Sequence, residues 1–579
     1  SMKKKNIIIS VIVIVIIIAL AVGGFFIYRG IKNNNESYQI AEVKEYNYFV
    51  LNQDDKFGVI DRSGNVVIEP KYDEVEIPNP EKAVFIISND GNTQVFNDKN
   101  EQIMTEYSSV DAIRLKNVAS DLMYEKSVLK YTEDGKYGLI DFTGKKITKA
   151  IYDELDSLPY KEGQFLVKQN GKYGVINLKG NNIVDAQYEQ IEVDGYYSDN
   201  NGYDYAGYIV SIKTDEGYRY GYLDYKGNKI LDTIYNDLSR VREIDDNNSA
   251  YLICAENGQY GVNKNNENII KNEYQSIRYD ENNNVFIVEK TKKYGVDDIN
   301  GKEIIPVQYT QIDTTGNYLY AQDDQGTTVY DSTGNQANID ANISILNTTN
   351  SNYRIKIDSS NGTKYGVIDS AGNDIIPETY NYISYLNDNY FIASNDQGKL
   401  GIIDDAGNVK VELKYDLLQK IDNTDILQAT TSSDNITQIY SKDLNLLCEM
   451  SDAKIEPVGD YLKIYNSTES KYFDKQGNEV LNKEVYPNNK LYTTVENGKW
   501  GFVDTAGNKV VDCKYDKATE FNEYGFAAVK LDGKWGAINE EGKEVVEPKY
   551  EISAETEPFF IGIYYRVTYG YGEFYYTDK

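Results

Sequence analysis

The chain is 579 residues long, 41% hydrophobic and 13% aromatic, with 54 tyrosines. That length exceeds what one hydrophobic core supports and that composition excludes a disordered chain, so several domains or a repeat array are expected. A formal net charge of −31 repels phosphate backbones, which proteins grip through Lys and Arg, and excludes a nucleic-acid partner.

Tyr, Ile and Val favour strands, and the abundant Asn, Asp and Gly favour the turns between them, so the fold class is all-β. Cys254, Cys448 and Cys513 are odd in number and form no CxxC pair. They fit neither a disulfide framework nor a zinc site and read as small buried apolar residues.

In chain order, Ser1 precedes Met2 and reads as a residue left by cloning. Residues 1–6 are expected to form a cytoplasmic stub, and the apolar run 7–28 a transmembrane helix. As a helix that run spans about 33 Å against a hydrocarbon core of roughly 30 Å, and in lipid only a helix satisfies the backbone of an isolated segment. Lys3, Lys4 and Lys5 place the N-terminus in the cytoplasm and the bulk of the chain outside. A cleaved signal peptide competes, because Ala19-Leu20-Ala21 resembles a cleavage site. The run continues through VGGFFIY without a polar break, which favours the anchor. Residues 29–40 read as a polar linker.

From there one phrase recurs: NGKYGVINLKGNNIVDAQY at 170, NGKWGFVDTAGNKVVDCKY at 497, DGKWGAINEEGKEVVEPKY at 532. Its signature glycine falls at Gly58, Gly138, Gly174, Gly221, Gly261, Gly295, Gly366, Gly401, Gly501 and Gly536, with a truncated start at Gly572. Weaker units put Gln94, Thr328, Gln438 and Lys471 in its place. The mean spacing of about 37 residues marks a repeat architecture.

Asn-Gly or Asp-Gly pairs just before the signature, such as Asp134-Gly135 and Asn170-Gly171, accept the positive φ angles of a two-residue hairpin. A second glycine closes a D-x-x-G turn, as in DRSG from Asp61 or DTAG from Asp504. A further strand follows, and a tyrosine (Tyr72, Tyr152, Tyr188, Tyr515, Tyr550) is read as opening a short fourth segment. Each unit is therefore a three- or four-strand antiparallel meander. The strand after the hairpin is apolar on both faces, so neighbours must cover both, and its glycine marks a close approach by a ring or backbone.

GKWG at 498–501 and 533–536 and GKYG at 135–138 and 171–174 resemble the signature of the bacterial WG-repeat (KWG-repeat) family. The resemblance runs from about residue 40 to the end. It implies an exported array of interaction modules. The units are expected to close as two consecutive β-propellers, repeats 1–7 over 41–312 and repeats 8–15 over 313–579, the last truncated. An open β-solenoid is the alternative.

The chain contains no histidine, which removes His-based triads, His-ligated zinc and the usual neutral-pH proton shuttle. The recurring acids Asp61, Asp141, Asp224, Asp298, Asp369, Asp404 and Asp504 all open D-x-x-G turns and are explained by hydrogen bonding to the turn backbone. Trp500, Trp535 and the recurrent tyrosines read as staples between sheets. No cofactor is expected. Calcium is the one metal the composition admits, at the oxygen-rich stretches from Asp194, Asp245 and Tyr279, none of which fits a calcium loop. The insertion at 194–206 is the candidate contact loop, carrying Asp194, Tyr196, Tyr197, Asp199, Tyr203 and Asp204. The expectation is a non-catalytic, membrane-anchored binding or scaffold protein outside the cytoplasm with an envelope or extracellular protein partner. The alternative is a surface protein that binds or cleaves glycans with carboxylates alone.

Overall fold

The computed structural model describes residues 40–550, apart from 45, 54, 62–64, 119, 121, 199–201, 242–250 and 523–524, together with the strands 559–561, 564–569 and 572–576. The expected transmembrane helix 7–28 and most of the linker lie outside the described residues. Among the described residues no helix is long and apolar enough to cross a membrane.

The fold is all-β, a propeller-like succession of antiparallel sheets, most of them three- or four-stranded. One sheet serves as the pattern. Its strands Glu154–Ser157, Gln164–Gln169, Lys172–Asn177 and Asn182–Tyr188 lie side by side in chain order. The hairpin turn between the second and third has the positive φ angles the sequence demands, 51° at Asn170 and 78° at Gly171.

The structure revises the reading of the tyrosine. Tyr188 ends the fourth strand and pairs directly with Tyr173 beside the signature glycine. The next residue, Glu189, already donates its N–H to Ser211 of the following sheet at 2.9 Å. The short segment after each tyrosine is therefore the first strand of the next sheet, and the repeated phrase and the sheet are out of phase by one strand. The same step occurs at Asp153 (N–H to Lys168 O, 2.7 Å) and Asp516 (N–H to Lys530 O, 2.7 Å).

Consecutive sheets share cores. Trp500, Phe502 and Tyr515 of one sheet pack with Ala527, Val529 and Ile538 of the next. Val175 and Val184 pack with Tyr208, Val210 and Leu223 in the same manner. A single small sheet has too little apolar surface to hold itself together; stacking supplies the rest.

The chain divides into two compact units, Ser1–Ile234 and Tyr235–Lys579. It does not part near residue 312. Ile312 sits in the strand Gln311–Thr315, 4% exposed, in a core shared with Val296 and Ile305 of the preceding sheet and Leu319 of its own.

Candidate functional site: a rim of variable connections

The signature residues are architectural. The third strand runs Tyr173, Gly174, Val175, but its partners on the fourth are Tyr188 for Tyr173 and Val184 for Val175, so three residues bulge opposite Gly174 alone. A Cβ on Gly174 would lie 2.6 Å from the Val184 carbonyl oxygen. The same geometry recurs at Gly58 (Ile68 O, 2.2 Å), Gly261 (Ile270 O, 2.5 Å), Gly295 (Ile305 O, 2.8 Å), Gly366 (Ile376 O, 2.5 Å), Gly401 (Val411 O, 2.5 Å), Gly501 (Val511 O, 2.4 Å) and Gly536 (Val546 O, 2.5 Å). At Gly221 a Cβ would meet Thr233 Oγ1, and at Gly138 the Tyr131 ring. Only glycine fits under the bulge. Trp500 and Trp535 are buried at 3% and 5% exposure, and the Trp500 indole N–H reaches Ser467 O at 3.1 Å.

The D-x-x-G acids serve the turn. Asp504 Oδ1 accepts the N–H groups of Ala506 (3.0 Å) and Asn508 (2.8 Å). The Asn508 backbone and side-chain hydrogen bonds hold its carboxyl below the usual carboxylate range. Asp369 is held in the same way by Ala371 and Asn373.

A second constellation escaped the sequence reading. The lysine of GKWG pairs with the acid just past the closing tyrosine: Lys56 with Asp73 at 2.7 Å, Lys499 with Asp516 at 2.6 Å, and likewise Lys136 with Asp153, Lys172 with Glu189 and Lys399 with Asp416. Asp73 also accepts the Asp90 N–H at 2.9 Å, and Asp516 the Gly533 N–H at 3.3 Å, both in the hairpin turn of the following sheet. Each such carboxylate clamps two successive sheets. The Lys499 ammonium and the Gly533 N–H hold Asp516 below its ordinary range. The signal was a constant separation of 17 residues between lysine and acid.

The two ends of the sheets differ in unit 1. At one end every second-to-third connection is a two-residue turn: 54–55, 90–91, 134–135, 170–171 and 215–216. At the other end the first-to-second connections 77–84, 112–128 and 158–163 vary in length and are knitted together through their described residues. Asn79 Nδ2 donates to Lys126 O at 2.8 Å, and Glu125 Oε2 accepts the Gly163 N–H at 2.9 Å. Tyr160 N donates to Lys116 O at 3.0 Å, and Ser157 Oγ to Arg114 O at 2.6 Å. Burial pushes the Glu125 carboxyl up, against the pull of the Gly163 and Ser127 N–H groups.

The candidate contact segment joins this rim, as a hairpin rather than a loop. Strands Gln190–Ser198 and Gly202–Thr214 extend the sheet past the neighbouring D-x-x-G turn, because Gly207 already pairs with Asp224. Asp194 is not a contact residue: it is 2% exposed and accepts the Tyr222 hydroxyl at 2.8 Å. The Tyr160 ring lies against Gly195 so closely that a Cβ there would meet it at 2.3 Å. Tyr196 and Tyr197 project, 37% and 66% exposed. Asp199 lies outside the described residues, and Tyr203 and Asp204 are placed on the returning strand.

The oxygen-rich stretches separate. Residues 242–250 lie outside the described set. Asp280 and Asn283 are buried and hydrogen-bonded to each other at 2.8 Å, with Asp280 Oδ1 accepting Thr314 Oγ1 at 2.7 Å and Asn283 donating to Gly316 O at 3.1 Å. Among the described residues no group of three or more acids or cysteines could hold a metal ion. Cys254 and Cys448 are buried and Cys513 half-buried, all as free thiols.

Tandem meanders that exchange a strand with the next sheet and bury their aromatics between sheets define a β-repeat protein of propeller type. The model of the WG containing repeat matches at residues 57–91, 137–173, 173–200, 500–535 and 535–552. The chain carries WG repeats at these places, and Gly221, Gly261, Gly295, Gly366 and Gly401 show the same close-packed glycine through the stretch between those matches. No curated protein matches the chain. Similar solved structures include a eukaryotic initiation factor (11% identity, 70% of this chain and 96% of that one, TM-score 0.24). Others are Hsv2p of Kluyveromyces lactis (11%, 46% and 96%, TM-score 0.20) and the WD40 β-propeller domain of Doa1 (11%, 40% and 88%, TM-score 0.18). Likeness of this degree adds nothing to the functional reading.

Proposed function

We propose that this WG-repeat chain is a membrane-anchored scaffold outside the cytoplasm that binds a protein partner through the variable rim of unit 1 and carries out no catalytic step. Sheets of propeller type suit such a scaffold, since radial packing hides strand edges that an open superhelix would leave exposed. The single observation that carries the reading is the asymmetry of unit 1. Uniform two-residue turns line one end, and cross-linked connections ending in the projecting Tyr196 and Tyr197 line the other. Exposed aromatics on a rigid frame are the usual anchors of protein interfaces. The test is crosslinking of the full chain in intact cells, with Tyr196→Ser/Tyr197→Ser alongside. Loss of one specific crosslinked protein in the double variant is expected; an unchanged crosslink pattern contradicts the rim assignment. External protease should digest the repeats of intact cells, and full protection would contradict the topology.

A second reading, recognition of a surface glycan, is favoured by the cavity beside the hairpin.

A further inference from the structure

The rim of unit 1 holds a cavity of about 530 Å³ between the sheet that ends at Tyr188 and the one that begins at Gln190. Its floor is apolar, from Ile40, Leu178 and Ile183, and its polar lining is Lys161, Glu162, Gln164, Asn177 and Lys226, with Tyr225 at the edge. The hydrogen bonds already made inside the protein decide what these groups can still offer. Gln164 Oε1 accepts the hydroxyls of Tyr205 at 3.0 Å and Tyr208 at 3.4 Å, so its free capacity is the amide N–H₂. Asn177 Oδ1 accepts the N–H groups of Lys179 at 2.9 Å and Asn181 at 3.1 Å, which again leaves the N–H₂. Glu162 is neutralised by Lys126 at 3.3 Å.

Charge points the same way. Acids outnumber bases 91 to 60 in the chain, yet among the described residues Lys161 and Lys226 have no carboxylate within ion-pair reach. Each lies instead by a tyrosine ring, Lys161 at 5.9 Å from the Tyr205 centroid and Lys226 at 5.5 Å from that of Tyr225. The ring of Tyr225, 50% exposed, stands edge-on to Tyr205 at 6.4 Å. The lining is thus two cations without a carboxylate partner, two amide donors and one exposed aromatic ring.

We propose that this cavity binds an acidic saccharide of the hexuronate type. The Tyr225 ring packs on the apolar face of the sugar, Lys161 and Lys226 pair with its carboxylate, and Gln164 and Asn177 donate to its hydroxyl oxygens. A neutral sugar leaves both ammonium groups unanswered, and a simple carboxylate leaves the ring uncovered. The proposal rests on the glycan reading and is separable from the protein-partner reading, which depends on Tyr196 and Tyr197.

The test is calorimetric titration of the full chain with glucuronate and its β-linked dimer, with glucose and acetate as the neutral and non-sugar probes. Both lysines and the tyrosine are exposed, so Lys161→Gln/Lys226→Gln and Tyr225→Ala should fold as the parent does, which a thermal melt checks. Saturable binding of the uronates is expected, at least about tenfold weaker in the lysine double variant, which loses both charge-assisted contacts, and weaker in Tyr225→Ala, which loses the ring under the sugar. Glucose and acetate should bind at least about tenfold more weakly than glucuronate. Absence of saturable uronate binding, equal binding by the lysine double variant, or equal binding of glucose would overturn the proposal. The crosslink to a protein partner should survive both cavity variants. If it is lost with Tyr196→Ser/Tyr197→Ser while uronate binding persists, the two sites are independent.

Discussion

The sheet built on Trp500 and the sheet built on Gln438 are units of the same repeat that differ at the signature position. Around Gly501 the register jumps: Trp500 pairs with Tyr515 and Phe502 with Val511. Around Gln438 it does not: Thr437 pairs with Met450, Gln438 with Glu449 and Ile439 with Cys448. The other units without glycine have short or absent fourth strands there. Val95 and Phe96 face the two-residue strand Gln102–Ile103, Tyr472 and Phe473 face Glu479–Val480, and the sheet containing Thr328 has three strands. The glycine is therefore the licence for a bulge, and a unit that loses it also loses the bulge. The bulge bends the fourth strand, an edge strand that also carries Pro70, Pro306, Pro377 and Pro548 at such sites, and both features keep edges from pairing with other chains.

This comparison can be broken most forcefully at Gly501. Gly501→Ala places a Cβ against the Val511 carbonyl and should cost about 3 kcal/mol, the upper range of overpacking. It should be read as a lowered denaturation midpoint with lost amide-exchange protection in Lys499–Asp504 and Lys509–Tyr515. Tolerance of alanine there would sever glycine from bulge.

The comparison sharpens two residues past the glycine. Where most sheets carry isoleucine or valine, one carries Asp297, 4% exposed, with Oδ1 unpartnered. Burial, then Glu303, Asp298 and Glu273, push its carboxyl up to about 7, and the Tyr274 phenol of the preceding sheet is pushed up to about 12 by burial and then by this carboxylate. A raised acid costs stability once the unfolded chain ionises. The penalty thus grows as pH rises from about 4 to about 7 and is constant above that. Asp297→Asn should flatten this slope and stabilise the protein at pH 8 by about 1–3 kcal/mol. Parallel pH–stability curves for the two proteins would refute the assignment.

At Gln438 the register is already regular, so Gln438→Gly creates no bulge and should cost the backbone freedom of a strand glycine, about 0.5–1 kcal/mol, together with the side-chain hydrogen bonds to Tyr415, Tyr440 and Glu449, about 1 kcal/mol more, in the same denaturation measurement. The smallest effect belongs to Lys499→Gln, which removes one exposed ion pair. Its lowered midpoint should appear at pH 7 and fade only as pH falls below the ordinary carboxylate range, because Asp516 has a depressed pKa and its contribution is lost as pH falls through it. Asp516→Asn should exceed it, since the Gly533 turn loses its acceptor too.

Much of this was legible in the sequence because it is local. Asn170-Gly171 announces a hairpin, Asp504 to Gly507 a turn, and the strand through Gly174 a surface covered on both faces. The phase was not, since nothing local in Tyr188-Glu189 says that the chain changes sheets between the two residues. The lysine–acid clamp was hidden for the same reason, its partners being joined only through that step. The Tyr196 region read as a loop because oxygen-rich residues favour turns, yet cross-strand pairing with Tyr203 to Tyr205 and the Asp194–Tyr222 hydrogen bond override that preference.

The central claim is that glycine and bulge are one device. The most direct measurement is the unfolding free energy of Gly501→Ala with and without deletion of Asp512 and Cys513, which would restore the one-to-one register seen at Gln438. The account predicts that the deletion rescues the alanine variant to well above the sum of the two separate losses. Strictly additive losses would contradict it.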